Sequence, residues 1–154
     1  MKSGQSAFRR CDNDERPAEH SAMQPLTVEE ELAALEAGTL DPATFPHREH
    51  LRLAFEMLQR HTFAEAAVRF SRGLRCVTAA AGKPEIYNET ITIGFLAIIG
   101  ERQARQRCKD WLEFIARNGD LADKRILERW YETTLLKSEV ARTTFVLPPA
   151  QNAD

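Results

Sequence analysis

Two histidines, His47 and His50, stand three positions apart in the segment PHREHLRLAFEMLQRH. On an α-helix, residues at that spacing are neighbours on one face. Two imidazoles placed this way can share a metal ion once a third ligand arrives from another element. Alternatively, one of them can serve as a general base near neutral pH. The carboxylate that could join them is Glu89, near the head of the segment YNETITIGFLAIIGER, residues 87–102. Two histidines with one carboxylate form the ligand set of non-haem iron sites with open positions. A divalent metal held by His47, His50 and Glu89 is therefore one expectation. The same trio without a metal gives a second: a polar small-molecule pocket with His47, His50 and Glu89 as catalytic groups and Tyr87, Asn88 and Thr92 binding the ligand. A third reading assigns only structural duties. The histidines then bond to backbone or Glu49, Asn88 caps a helix, and Glu89 is a first-turn acid favoured by the helix dipole.

The elements that must position these residues follow from hydrophobic period and capping signals. Behind Glu89 the chain is apolar on every side of a helical wheel, the pattern of a helix surrounded by others. Its uncharged run of about ten residues is half of what a bilayer span requires. This predicts a buried central helix over about residues 88–102, with Thr90, Gly94 and Ala97 as a strip of small residues. Upstream, Thr27 and Glu30 form a capping box and Gly38 offers a left-handed stop, so a first helix turns Leu32 and Leu35 inward. The prolines of TLDPATFP interrupt it, and Pro46 opens the second helix at a position where its missing N–H costs nothing. The apolar stripe Leu51, Ala54, Met57, Leu58, extended backward, reaches His50 and His47 and turns both toward the bundle. Thr62 and Glu65 repeat the capping box for a third helix, whose expected buried face holds Phe63, Ala66, Ala67, Phe70, Leu74, Cys76 and Val77 and whose end is Gly82. Asp110 opens a short helix that stops at Gly119, Asp120 is expected to cap LADKRILERWYE, and Ser138 to cap SEVAR. Phe145, Val146 and Leu147 are expected to dock on the bundle as irregular chain.

A chain of 154 residues fits one domain. Residues 1–24 are polar and aperiodic and predict a disordered arm; residues 25–149 predict a single helical domain, and 150–154 a loose tail. A formal net charge of −2 supplies no field to attract nucleic acid or an anionic membrane. Nucleic acid is not an expected partner even at the cation-rich stretch ERQARQRCKD, where no aromatic residue interleaves the cations. Cys11, Cys76 and Cys108 are scattered and odd in number, which argues against a disulfide framework and a cysteine zinc site. Cys108, between Arg107 and Lys109, has the neighbours that favour a thiolate. GxSxG, P-loop and GxGxxG signatures are all missing. With no apolar leader segment near the N-terminus, the expected address is that of a soluble, cytoplasmic protein.

The motifs FPHREHLRLAF, YNETITIGFL and SEVARTTFVLPP, in that order, resemble a family of small all-helical bacterial proteins of uncharacterised function. The resemblance covers about residues 27–149 and implies an all-α fold, with no activity to carry over. In that family a histidine stands between the tyrosine and the glutamate of the second motif. Here the position is Asn88, a poor replacement for an imidazole ligand, which weakens the metal expectation for this chain. The family pattern also draws attention to Ser138 and to Arg142, whose guanidinium could return to the pocket and bind an anionic ligand or pair with Glu89. The expected fold is all-α, a compact bundle of five to six helices around one buried central helix. Two function classes stay open: a small-molecule site that is or is not an enzyme's, and a helical protein–protein interaction or structural module, as a homodimer or otherwise.

Overall fold

Threonine starts two of the long helices by the same device. In a computed structural model of the chain, which describes residues 25–150, Thr27 and Thr62 each accept the backbone N–H three residues on. Glu30 and Glu65 reach back to the threonine N–H groups. These reciprocal bonds satisfy donors that a helix start leaves without partners. They open α1 (Val28–Ala37) and α3 (Phe63–Ala80). Between them Pro46 leads into α2 (His47–Arg60). Asn88 caps α4 (Glu89–Arg105), Asp110 caps α5 (Trp111–Arg117), and after α6 (Thr133–Leu136) Ser138 caps α7 (Glu139–Thr143). Short 3-10 turns link several of these helices, and no strand occurs among the described residues. The fold is an all-α bundle, as predicted.

α4 is the inner helix. It packs on α2, α3 and α7 and buries Thr90, Thr92, Gly94, Phe95, Leu96 and Ile99. Complete burial of Leu35, Met57, Leu96, Ile99, Phe114 and Leu121 ties α1, α2, α4, α5 and the following turn into one core. Burying an aliphatic or aromatic side chain of this size stabilises by roughly 1.5–3 kcal/mol each. Phe55, Trp111 and Phe114 stack as a tilted cluster, with Phe55 4.9 Å from Phe114, and this seats α5 against α2.

Two glycines allow α1 and α3 to touch through their backbones. A Cβ on Gly73 would lie 2.7 Å from the Leu35 carbonyl oxygen, and one on Gly38 would lie 2.5 Å from Cys76 Cβ. Gly38 also holds φ at +70°, a conformation that L-residues with a side chain resist.

Several local expectations need correction. Among the described residues there are seven α-helices where five or six were expected, because the last third of the chain breaks into short turns. Residues 119–132 do not form one helix capped by Asp120. They make 3-10 turns at Gly119–Ala122 and Ile126–Arg129. The Asp120 carboxylate is drawn to Arg102, which it binds through both oxygens at 2.6 and 2.9 Å, and to Arg129. The guanidinium pair holds Asp120 at about 2, well below the usual carboxylate value. The central helix, expected to end at about residue 102, runs on to Arg105. Cys76 and Ala97 are exposed, and Phe63 is 46% exposed, so the small-residue strip and the third helix's buried face are narrower than predicted. Of the three tail residues expected to dock, only Val146 does so. It donates its N–H to Thr90 Oγ1 and accepts from the Tyr131 hydroxyl, while Phe145 and Leu147 stay exposed. The expectation for residues 1–24 lies outside the described residues. No helix among those described is long and apolar enough to cross a membrane.

Gly73→Ala should lower stability by about 2 kcal/mol, because the new methyl meets a backbone carbonyl that cannot rotate away. Gly82→Ala, also at φ +70° but with nothing near its Cβ, should cost only about 1 kcal/mol of conformational strain. Urea denaturation midpoints of the two variants test that order.

Candidate functional site

Because α2 begins at His47, both histidines fall in its first turns, with Leu51 and Ala54 continuing the same face. That face meets Phe70 and Leu74 of α3 and Ile91, Thr92, Phe95, Leu96 and Ile99 of α4 around a cavity of about 90 Å³. Its wall is apolar apart from the two imidazoles and the Thr92 hydroxyl. Each ring is held. His47 Nε2 lies 3.0 Å from the Leu121 carbonyl oxygen, and the ring packs edge-on against Phe95 at 5.1 Å. His50 sits 4.0 Å from the Phe45 ring. A carbonyl can only accept, so Nε2 of His47 carries the proton, and the neutral ring has its lone pair on Nδ1. Thr92 donates its own hydroxyl proton to Asn88 O at 2.8 Å, which leaves acceptor capacity for a ligand.

The surroundings keep both rings neutral. Burial pushes His50 from the usual 6.5 down to about 4, with the His47 and Lys124 charges adding to the effect. His47 is also lowered, chiefly by burial; the Leu121 carbonyl opposes this, Lys124 adds to it and Asp123 opposes it. The positive end of the α2 dipole acts in the same direction as burial.

Glu89 is not part of this group. It starts α4, but its side chain turns to the other side, where Oε2 accepts from the Tyr87 hydroxyl at 2.5 Å and from Arg75 Nη2 at 2.6 Å. Arg75 in turn stacks over the Tyr87 ring, 4.8 Å from its centroid. Burial first and Glu89 second raise the Tyr87 hydroxyl above its ordinary value. Tyr87 and Arg142 share a separate cleft of about 430 Å³ with Arg75, and there Arg142 donates to the Glu85 carbonyl at 3.1 Å. The Asn88 side chain is spent on structure: Oδ1 accepts from Ile91 N and Nδ2 donates to Leu136 O. Ser138 caps α7. The predicted constellation is thus divided. His47, His50 and Thr92 come together; Glu89, Tyr87 and Arg142 gather elsewhere. Among the described residues no group of three or more His, Cys, Asp or Glu side chains is placed to hold a metal ion, so the proposed trio of ligands is not assembled.

Comparison with family models, with curated proteins and with solved structures returned no match. What defines the site class is therefore its own make-up: an all-α bundle with a small apolar cavity bearing two neutral imidazoles. Sequence reasoning did not assign the apolar lining from α3 and α4. The signal was present in the helical spacing of Ile91, Phe95 and Ile99, four residues apart each time. The Leu121 carbonyl, by contrast, left no trace that a pattern could reveal.

A neutral buried imidazole makes stability fall with acid. The unfolded chain binds a proton at His50 near pH 6.5 and the folded chain only near pH 4. Stability that is complete above the first value should therefore decline as pH falls through that window. The loss amounts to about 2–3 kcal/mol, and the slope attributable to this residue should vanish in His50→Gln. Titration of the imidazole proton resonances, run beside urea unfolding from pH 7 to pH 4, checks both the value and the sign.

Proposed function

We propose that the protein binds a small, mainly apolar molecule carrying one hydrogen-bonding group, in the cavity between α2, α3 and α4. The observation that carries this reading is the pairing of two neutral imidazoles with apolar walls around a space of about 90 Å³. An engineered apolar cavity of roughly 150 Å³ accepts benzene, so this one suits a group of about three or four carbon atoms. Sites of this make-up, apolar with a few convergent polar groups, are the usual form of a ligand pocket. The ligand's polar group lies at His47, the residue that borders both this cavity and the cleft outside it, and the walls around His50 and Thr92 take its hydrocarbon part.

An imidazole lowered to about 4 is a weak base at neutral pH, so the cavity is suited to binding rather than to proton abstraction. Glu89 has no part in it, being tied to Tyr87 and Arg75.

The simplest probe is 1-butanol, followed by two-dimensional NMR. Saturable shifts should concentrate at Ile91, Thr92, Phe95 and the ring protons of His50. Ala54→Leu, which fills the cavity with three further carbons from its α2 wall, should weaken binding at least about tenfold while leaving the melting temperature the same or higher. Shifts that never saturate, that map to another surface, or that persist unchanged in Ala54→Leu and in Thr92→Ile would refute the cavity as a binding site.

A further inference from the structure

The cavity shares a wall with a second space. Outside α2, a cleft of about 260 Å³ is lined by Pro46, His47, Arg48, Leu51, Ala122 and Lys124, with Ile115 of α5 at its edge. His47 and Leu51 line both spaces, so the imidazole stands between the inner cavity and the outer cleft. A single long-range hydrogen bond, from Nε2–H to the Leu121 carbonyl, fixes that ring. Leu121 lies on the 3-10 turn Gly119–Ala122, and Lys124 follows two residues after it, so one short segment both holds the imidazole and delivers a cation to the cleft.

The charges of the outer cleft do not balance. Arg48 lies over the Trp111 ring at 5.9 Å and makes no ion pair among the described residues; Lys124 makes none either. The nearby acids are occupied. Glu49 binds Arg52 at 2.6 Å, and Asp123 accepts from the Arg125 backbone N–H at 2.9 Å and lies 3.5 Å from its Nε. Lys124 is close enough to act electrostatically on both histidines. Two unpaired cations flanking one cleft favour an anion there, and the apolar space behind His47 favours hydrocarbon.

We infer that the ligand is a small monocarboxylate with a short apolar tail. Its carboxylate rests in the outer cleft between Arg48 and Lys124, and its tail passes the His47 ring into the inner cavity. This rests on the cavity reading above and adds the ligand's charge and its orientation. A guanidinium presents parallel donors that suit a carboxylate. The inner space limits the tail to about three or four carbons. Cationic ligands are disfavoured by both side chains.

Sodium butyrate, 1-butanol and butylammonium chloride, equal in tail length and different in charge, separate the two readings. At low ionic strength and about pH 7.5, butyrate should bind about fivefold tighter than butanol, and butylammonium weakest, the margin that two exposed cations supply. In the double variant Arg48→Gln/Lys124→Gln the affinity for butyrate should fall to within about twofold of that for butanol, with butanol unchanged. Both altered residues are exposed, so the fold should persist, and unchanged butanol binding is itself the check. If butanol binds at the cavity but butyrate is no tighter, or if its preference survives in the double variant, the carboxylate inference fails and the cavity reading stands. If neither binds, both fail.

Discussion

Helix α4 enters the core through three consecutive polar residues, each tied to a different segment, and the position of everything around it depends on those ties. Asn88 caps the helix and donates to Leu136 O ahead of α7. Glu89 binds Tyr87 and Arg75 on the α3 side. Thr90, completely buried, donates to Thr144 O and accepts from Val146 N, which fastens the segment that follows α7. Successive residues of a helix point about 100° apart. Three neighbours therefore reach three directions and fix the axial position and rotation of α4 together. A shift of one residue would expose Phe95 and Ile99 and bury groups that need partners.

That rotation decides what reaches the cavity. With Glu89 committed toward α3, the next turn brings Thr92 and Phe95 round to α2, and the imidazoles face them. The carboxylate and the histidines cannot be joined without undoing the pair with Arg75, a charge-assisted bond that also stacks the guanidinium on Tyr87. Here lies the physical reason that a plausible trio of ligands does not assemble. Glu89 does have a partner for its charge, as the entry to a buried helix demands, but the partner is an arginine on a neighbouring helix.

Most of the architecture was legible because it is local. Thr27 with Glu30, Thr62 with Glu65, Asn88, Asp110 and Ser138 all cap the helices that their spacing announces. The inward direction of His47 and His50 followed from the stripe through Leu51 and Ala54. What could not be read was long-range pairing. Arg102 and Asp120 are eighteen residues apart and Arg75 and Glu89 fourteen. In both cases the acid looked like a helix-start residue, and only for Glu89 was that also true. The segment LADKRILERWYE carries helix-forming residues, yet its chain is bent into 3-10 turns where Asp120 is drawn to Arg102 and Leu121 is wholly buried. Tertiary contacts of this kind override local preference over a short stretch.

The two histidines are neutral for reasons that converge. Burial removes solvent from the charged form, the start of α2 places partial positive charge beside them, and Lys124 adds a full one. Any one of these could be incidental. Burial disfavours an ion of either sign, whereas the helix start and Lys124 disfavour only a cation and favour an anion nearby. A positive site usually achieves this with cationic side chains facing the ligand directly, at the expense of desolvating them. Here the cations stay at the outer cleft, in contact with water, while the interior keeps only uncharged acceptors and hydrocarbon. Separating charge from the apolar space by one ring, that of His47, would let the short ligand proposed above satisfy both environments without burying an ion.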